Sequence, residues 1–154
     1  MPDHYEIDNV DLKILSILQQ QAKKPYTEVA KLAHVSPGTI HVRMNKLEKL
    51  GVVKGASLDL NLAKLGYSVG AFLGIFLTKS SLYEKVADQL KKVPEITSIH
   101  YTTGNYSMFV RVFAKSTDHL KDILHDKVQK VEGIERTETF IILEETLSRS
   151  MMLT

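Results

Sequence analysis

The stretch VSPGTIHVRMNKLEKLG, residues 35–51, decides how the N-terminal part of this chain folds. Ser36 belongs to the residue types that cap helix N-termini, and Pro37 suits the first helical position, where no backbone N–H donor is needed. Gly51 stands where the helix would close with a left-handed residue. Together these residues predict a helix that begins at Pro37 and ends just before Gly51.

The two faces of this helix differ in composition. Ile40, Met44 and Leu47 are spaced three or four residues apart and predict one buried stripe. The opposite face has small and polar residues first and cationic residues later, as contacts to base edges and phosphates require. We therefore predict a DNA-recognition helix whose contacts come from Ser36, Pro37, Gly38, Thr39, His41, Val42, Arg43 and Lys46. Arg43 suits either a base or a phosphate, and Lys49 is a further phosphate candidate.

The residues before this helix indicate a helix-turn-helix. Residues 28–33 predict a short helix, and only His34 and Val35 separate it from the Ser36 cap. We expect a positive φ at His34, which stands where Gly is usual in such turns. The inward side of the short helix is predicted to carry Val29, Leu32 and Ala33, with the small Ala30 where the two helices cross.

A third helix is expected upstream. Asp8 is placed to cap it, and apolar residues follow at helical spacing. These residues complete a trihelical core: Val10, Leu12, Ile14, Leu15 and Leu18.

Composition limits the class of protein. The chain has 154 residues, of which 44% are hydrophobic and 25% charged, as in ordinary globular proteins. It contains no cysteine, which excludes a disulfide framework and Cys-based zinc sites. The longest apolar run, residues 69–77, is too short to span a membrane, and the start lacks the pattern of a signal peptide. We expect a cytoplasmic protein.

The charge distribution favours DNA contact at the predicted recognition helix. The net charge is only +2. Between residues 31 and 55, however, five basic residues accompany a single acidic residue, Glu48. Positive charge gathered on one segment is typical of a nucleic-acid contact, and the modest total suggests that several chains bind together.

After Gly51 the pattern predicts strands and helices in the order βαββαβ. The expected strands are residues 68–78, 95–103, 106–114 and 134–144, and the expected helices are 81–93 and 117–131. This order is that of a ferredoxin-like sandwich, so the fold class is α+β. We place a helix-turn-helix domain with a connector strand at residues 1–61 and a regulatory domain at residues 62–154.

The predicted sheet is apolar on both faces. In the first strand the residues from Val69 to Leu77 point alternately to the two helices and to a second face. Four phenylalanines share that second face: Phe72, Phe76, Phe109 and Phe113. Because an exposed aromatic surface is a liability on a monomer, we predict a two-fold dimer through it. The alternative is that the connector or the first helix covers this face.

The segment YTTGNYS, residues 101–107, joins the second and third strands. Gly104 and Asn105 are a hairpin signal, so a turn is the simplest interpretation. Hydroxyls and exposed N–H groups are nevertheless dense here, and they suit the carboxylate and amine of a small zwitterion. The candidate effector-binding residues are Tyr101, Thr102, Thr103, Gly104, Asn105, Tyr106 and Ser107.

The strings VSPGTIHVR (35–43), LGY (65–67) and YTTGNYS (101–107) closely resemble the Lrp/AsnC family of amino-acid-responsive transcription regulators, over nearly the whole chain. The resemblance implies a winged or wing-like helix-turn-helix and a regulatory domain that dimerises. It also implies assembly of dimers into a tetramer or an octamer, with an amino acid bound between dimers near the loop. Many members have Asp where this chain has Ser107, and its loop is similar to that of the asparagine-responsive branch.

Other functions have weaker support in the sequence. His119, Asp122 and Asp126 share a helix face, but their spacing matches no closed metal site, and we expect no metal and no cofactor beyond an amino acid. No catalytic or phosphate-binding motif is present, so we expect no enzyme activity. The prediction is a regulator that binds double-stranded DNA and a small amino acid, with asparagine as the first candidate and no membrane partner. An effector-independent architectural DNA-binding protein and an amino-acid-binding regulatory subunit of an enzyme remain as alternatives.

Overall fold

The computed structural model describes residues 5–153, and contacts divide them into two units. One unit contains the residues up to Asp59 and the C-terminal segment 147–153, and the other spans Leu60–Thr146. The domains predicted from the sequence differ from these units, because they place residues 147–153 in the second domain. The predicted boundary after residue 61 stays a prediction. Their outermost residues, 1–4 and 154, lie outside the described residues.

The first unit is built from three helices: α1 (Asn9–Gln20), α2 (Tyr26–Ala33) and α3 (Pro37–Lys49). Their buried hydrophobic residues are Ile14, Val29, Ala30, Ala33, Ile40, Met44 and Leu47. The stripe predicted for α3 is therefore confirmed. The inward position predicted for Leu32 is wrong, because this side chain is 49% exposed. At about 100° per residue, Leu32 lies about 100° from the centre of the stripe that α2 buries.

The segment between the units has little regular structure. Residues 53–61 form neither helix nor strand, so the predicted connector strand is corrected: it has no β-partner within residues 5–153. A 3₁₀ turn follows at Ala63–Leu65, where the Asn61 side chain accepts a hydrogen bond from the Lys64 N–H at 3.1 Å.

The second unit has the predicted order βαββαβ. Its elements are β1 (Val69–Leu77), α4 (Tyr83–Leu90), β2 (Ile96–Tyr101), β3 (Met108–Ala114), α5 (Thr117–Asp122, continuing as a π-helical segment over Ile123–Val128) and β4 (Ile134–Ile141). A 3₁₀ turn at Ser80–Leu82 leads into α4. The sheet is antiparallel with strand order β2-β3-β1-β4. The ferredoxin-like α+β fold is confirmed.

The helices α4 and α5 cover one face of this sheet. Alternate residues of β1 and β3 turn toward them and are buried: Ala71, Leu73, Ile75, Leu77, Met108, Val110, Val112 and Ala114. The helices contribute Val86, Ala87, Leu90, Leu120, Ile123 and Val128 to the same core. Phe109 and Phe113 of β3 alternate with these buried residues and are only half-buried, so they point to the second face.

Candidate nucleic-acid interface and effector loop

The start of α3 is held by the residues that the sequence singled out. The Ser36 Oγ accepts a hydrogen bond from the Thr39 N–H at 3.1 Å and lies 2.9 Å from the Thr39 Oγ1. Pro37 occupies the first turn, where its missing N–H leaves no bond unmade. Ser36, Pro37 and Gly38 are exposed, so the first turn of α3 is open to solvent.

The end of α3 is closed by Gly51. Its φ is +72°, and its N–H donates to the carbonyl of Glu48 at 2.9 Å. The N–H of Val52 donates to the carbonyl of Leu47 at 3.0 Å, which completes a Schellman motif. The closing role predicted for Gly51 is confirmed.

The turn between α2 and α3 uses His34 in the left-handed conformation, with φ 58° and ψ 43°. The His34 N–H donates to Lys31 and the Val35 N–H donates to Ala30, so the turn is a second Schellman motif. The expectation of positive φ at His34 is confirmed. This left-handed residue sets the direction in which α3 leaves α2.

The outer face of α3 exposes polar, charged and apolar side chains, including Asn45 and the acidic Glu48. His41, Val42, Lys46 and Lys49 are exposed, and the imidazole of His41 lies edge-on to the ring of Tyr26 in α2 with centroids 4.7 Å apart. Val42 is 68% exposed although it is apolar. An exposed apolar residue beside cations suits a thymine methyl group next to phosphates.

Arg43 also lies on α3, but the Nη1 of its guanidinium is bonded to two carboxylates. Its Nη1 donates to both carboxylate oxygens of Asp8 and to Oδ1 of Asp11, each at 2.8 Å. Asp11 is fully buried and the Arg43 side chain is only 25% exposed. These three bonds use Nη1 alone, so a DNA contact through Nη2 or Nε of Arg43 stays a prediction. Arg43 joins α3 to α1.

Sequence analysis missed Asp11. The Asp8 Oδ1 accepts from the Asp11 N–H at 2.9 Å, and the Asp11 Oδ2 accepts from the Asp8 N–H at 3.1 Å, which is a reciprocal capping box. The three-residue spacing of these two aspartates before an apolar run is the signal that reveals the box. It gives no indication that the second aspartate is buried.

Tyr5 and Lys46 extend the ion pair into a cluster. The Tyr5 Oη donates to the Asp11 Oδ2 at 2.5 Å, and the Lys46 Nζ lies 4.0 Å from the centre of the Tyr5 ring. Burial, followed by the bond to Asp11, raises the pKa of Tyr5. The bond from Arg43 holds the pKa of Asp8 below its ordinary value. The cluster leaves Lys46 exposed at the edge of α3.

The candidate effector loop, residues 101–107, connects β2 to β3. The Thr102 Oγ1 donates to the carbonyl of Tyr106 at 2.8 Å, and the Thr102 N–H donates to the carbonyl of Ser107 at 3.1 Å. Gly104 has a φ of +98° at the exposed tip, and Thr103 and Asn105 are exposed beside it. The ring of Tyr101 lies against that of Tyr83, with centroids 4.4 Å apart. The hairpin turn expected from the sequence is present.

Two residues of this loop are directed toward the sheet. The Ser107 N–H donates to the carbonyl of Ile75 at 2.9 Å, which extends the pairing of β3 with β1. The Tyr106 ring lies over Gly74 of β1, and its hydroxyl donates to the Glu138 Oε2 of β4 at 2.6 Å. That bond raises the pKa of Tyr106. The tip residues 103–105 and the side chain of Tyr106 therefore face different surroundings.

An aromatic face covers the side of the sheet opposite α4 and α5. The Phe72 and Phe109 rings are stacked with centroids 5.3 Å apart, and Phe76 lies 5.1 Å from Tyr106. Sequence analysis missed Phe140, which pairs with Phe72 across β1 and β4 and is 44% exposed. We define the aromatic face by these six rings: Phe72, Phe76, Tyr106, Phe109, Phe113 and Phe140.

Charged side chains lie among these rings. The guanidinium of Arg136 is 3.7 Å from the centre of the Phe76 ring, and that of Arg111 is 4.8 Å from the centre of the Phe113 ring. Arg111 also pairs with Glu145, and the Nε of Arg111 is buried without a hydrogen-bond partner. The face therefore presents cations and anions of one chain side by side.

Two family models match the two units. The model of the AsnC-type helix-turn-helix domain matches residues 7–48, and that of the Lrp/AsnC ligand binding domain matches residues 70–152. The regulatory protein AsnC of Escherichia coli (strain K12) is 41% identical over 149 residues, which cover 97% of this chain and 98% of that protein. This chain belongs to the Lrp/AsnC family.

Further relatives agree with this assignment to the Lrp/AsnC family. The HTH-type transcriptional regulator FL11 of Pyrococcus furiosus is 38% identical over 90% of each chain. The structure of E. coli AsnC superposes with a TM-score of 0.89 and covers 96% of this chain and 99% of its own. A feast or famine regulatory protein from M. tuberculosis, complexed with L-methionine, has 25% identity and a TM-score of 0.90, with 97% and 100% covered. The family predicted from the sequence is confirmed.

Membership of the Lrp/AsnC family makes the chain an AsnC-type transcription regulator, whose helix-turn-helix implies DNA binding. Its homologues are transcription regulators rather than enzymes. Within residues 5–153 no helix is long and apolar enough to cross a membrane. In the same residues, no three His, Asp or Glu side chains come together as ligands of one metal ion would.

Proposed function

We propose that this Lrp/AsnC-family regulator binds double-stranded DNA as a homodimer that places α3 of each chain in successive major grooves. The observation that carries the proposal is the capped α3, whose first turn is open and whose outer face is cationic, on a chain 41% identical to AsnC. Two-fold symmetry would match a near-palindromic site. Because its target is chromosomal DNA, the protein would act in the cytoplasm.

The proposed DNA contacts divide along α3. Base edges would be read by Thr39, His41 and Val42, and the open first turn at Ser36, Pro37 and Gly38 would approach the backbone. Lys46 and Lys49 would neutralise phosphates. Arg43 is left out, because the Nη1 of its guanidinium is bonded to Asp8 and Asp11. The cationic charge available to DNA is therefore smaller than the sequence suggests.

Salt dependence tests this division. Binding of a fluorescent duplex from the DNA upstream of the coding sequence would be measured between 50 and 200 mM salt (roughly the range in which such contacts are resolved). Lys46→Gln and Lys49→Gln should each flatten the plot of log affinity against log salt by about 1 per protomer. Arg43→Gln should leave the slope unchanged even where overall affinity falls.

Two results would count against the DNA proposal. Binding that is indifferent to salt in the unmodified protein would contradict phosphate contacts altogether. If the slope of log affinity against log salt falls as much for Arg43→Gln as for Lys46→Gln, Arg43 contacts a phosphate. Lys85→Gln is the matched control, since Lys85 is an exposed lysine of α4 in the other unit, where it pairs with Glu132.

For the dimer, we propose that a second copy of this chain covers the aromatic face. The aromatic face holds rings beside two cations and two anions, which are Arg111, Arg136, Glu138 and Glu145. A two-fold copy of the face would therefore supply anions opposite cations. A face of this kind exposed on a monomer would favour association. Dimers would then assemble further, to a tetramer or an octamer, which sedimentation velocity would distinguish.

We further propose that a small amino acid, with asparagine as the first candidate, binds beside the loop at residues 101–107. The exposed tip formed by Thr103, Gly104 and Asn105 offers N–H groups and a hydroxyl to a carboxylate. A relative of the same fold was solved with L-methionine, which supports an amino acid as the ligand class. No other cofactor is proposed.

A thermal-shift panel over the twenty amino acids tests the effector. Stabilisation grows with ligand occupancy, so the preferred amino acid should raise the melting temperature in a concentration-dependent way. Thr103→Ala should weaken that response, whereas Thr97→Ala, on β2 away from the loop tip, should not. A flat panel together with intact DNA binding would favour the architectural alternative. Amino-acid binding without DNA binding would favour a regulatory subunit.

A further inference from the structure

Tyr106 belongs at once to the effector loop and to the aromatic face. Its backbone is held inside the loop, where its carbonyl accepts from the Thr102 hydroxyl at 2.8 Å. Its ring lies on the sheet, 5.9 Å from Phe109 and 6.0 Å from Phe140. The contacts inside the loop and the contacts among the rings both involve Tyr106. The loop and the aromatic face therefore cannot move independently at this residue.

Gly74 provides the seat for this ring. A Cβ at Gly74 would lie 2.5 Å from both Cδ1 and Cε1 of Tyr106, which is closer than side-chain atoms approach one another. Gly74 has a φ outside the left-handed region, so backbone conformation does not require glycine here. The absence of a side chain at this position is explained by the ring that fills its place.

The hydroxyl of Tyr106 crosses the sheet to its edge. It donates to the Glu138 Oε2 on β4 at 2.6 Å, and Glu138 lies directly opposite Gly74 in the register of β1 and β4. Glu138 also lies 4.0 Å from Arg136, whose guanidinium stacks on Phe76. A displacement of Tyr106 would therefore disturb both the rings and the charges that a second copy of the chain would meet.

We propose that Tyr106 is a positioning residue that couples the effector loop to self-association: the ring must lie on Gly74, bonded to Glu138, for the aromatic face to accept its partner. This inference rests on the proposed function, since it assumes that the loop binds an amino acid and that the face binds a second copy. A ligand that changes the loop then shifts association through Tyr106. Reciprocity requires that association change the affinity of the ligand by the same factor.

The first experiment needs no ligand. Amide hydrogen exchange of residues 102–107 would be measured in the full chain for Gly74→Ala and for the control Gly70→Ala, which makes the same change on the same strand and face. The Cβ at Gly70 would meet Ile142 and Phe113, at 3.2 and 3.3 Å, and not the loop. Gly74→Ala should accelerate loop exchange about tenfold, because the ring loses its seat, and Gly70→Ala should not. Equal loop exchange in the two variants would overturn the proposal.

The second experiment measures the coupling itself. The dissociation constant of self-association would be determined by sedimentation equilibrium, with and without saturating L-asparagine. We expect the amino acid to change this constant about fivefold or more in the unmodified chain. Tyr106→Phe keeps the ring and loses only the bond to Glu138, so the chain should still bind the amino acid and still self-associate. The ratio of the two dissociation constants, measured without and with L-asparagine, should fall toward one.

The possible results separate this inference from the function on which it rests. An undiminished ratio in Tyr106→Phe would overturn the coupling and leave the effector and the dimer intact. Absence of binding by any amino acid would contradict the proposed effector, and the exchange experiment would still decide whether Tyr106 links the loop to the face. Glu138→Met keeps the length of the side chain and removes the acceptor of the Tyr106 hydroxyl, so it should reproduce the loss of coupling expected in Tyr106→Phe.

Discussion

The two units of this regulator obtain their stability in different ways. Among its described residues, the helix-turn-helix unit buries seven hydrophobic side chains and adds a charged cluster in which the buried Asp11 is paired with Arg43. The ferredoxin-like unit buries fifteen hydrophobic residues, and its Glu95, which pairs with Lys127 at 2.6 Å, is 10% exposed rather than fully buried. The smaller core depends more on polar contacts, since less apolar surface is available to it.

The units also differ in what they leave exposed. The outer face of α3 is polar and cationic, so water solvates it well in the absence of DNA. The second face of the sheet is aromatic, and water is a poor partner for it. One unit thus exposes a cationic helix face and the other an aromatic sheet face, and substitutions can test which partner each face binds.

The largest effect on stability is expected at the charged cluster of the first unit. Arg43→Met leaves the buried carboxylate of Asp11 without its cation and should lower the free energy of unfolding of this unit by about 3 kcal/mol. Urea denaturation followed by amide exchange in residues 9–49 would measure it. Lys49→Met is the matched control, because it removes an exposed lysine of the same helix outside the cluster and should change the free energy by less than about 0.5 kcal/mol. An equal effect of the two substitutions would show that the cluster does not support α3.

The aromatic face should give the next largest effect, on association rather than folding. Phe109→Ala removes a ring that touches Phe72, Tyr106 and Phe140, and we expect it to weaken the dimer by about 2 kcal/mol, or roughly thirtyfold in the dissociation constant. Sedimentation equilibrium would measure the change. Tyr67→Ala removes an aromatic ring away from the face and should leave the constant unaltered. Unchanged association of Phe109→Ala would mean that another surface joins the chains.

A fall in pH should destabilise the first unit through protonation of Asp8. Because the bond from Arg43 lowers the folded-state pKa of Asp8, its stabilisation is complete above the unfolded-state pKa of about 4 and is lost as the pH falls through the folded value. Denaturation of residues 9–49 measured between pH 7 and pH 2 (roughly spanning both values) should show the loss. Asp8→Asn keeps an N-cap residue and should flatten that part of the profile. An identical pH profile in this variant would assign the acid sensitivity to other groups.

The smallest effect is expected at the turn. His34 holds a left-handed conformation that is strained for a residue with a Cβ, and His34→Gly should stabilise the helix-turn-helix by about 0.5 kcal/mol after the greater chain entropy of glycine is counted. Thermal denaturation would measure the gain. Ala33→Gly, one residue earlier and inside α2, should have the opposite sign. A loss of stability in His34→Gly would indicate that the imidazole itself makes a stabilising contact.

Much of the fold could be predicted because its signals are local. Asp8, Ser36, His34 and Gly51 mark helix ends through interactions within a few residues, and each was found in the expected role. The alternation in β1 and β3 separated the buried face from the aromatic one. Leu32 was misplaced because a short helix offers too few residues to locate the centre of its buried stripe.

The candidate sites were harder to predict, because their side chains can form several different contacts. An arginine on a helix suits a phosphate as well as a carboxylate, and Arg43 lies 35 residues from Asp8 along the chain. Tyr106 looked like a loop residue, and only the register of β1 with β4 puts Glu138 beside it. Phe140 was missed because β4 is largely exposed and shows no regular alternation.

Caps, spacing and periodicity within the chain were enough to predict the helix-turn-helix, the order βαββαβ and the hairpin loop between β2 and β3. These features depend on backbone hydrogen bonding and on which side chains share a face, and both follow from neighbouring residues. The tertiary structure alone decided that Arg43 is bonded to Asp8 and Asp11, that Asp11 is buried and that the Tyr106 ring fills the place of a side chain at Gly74. Those outcomes require groups far apart in sequence to meet at atomic distance, and the geometry of packing selects the partners.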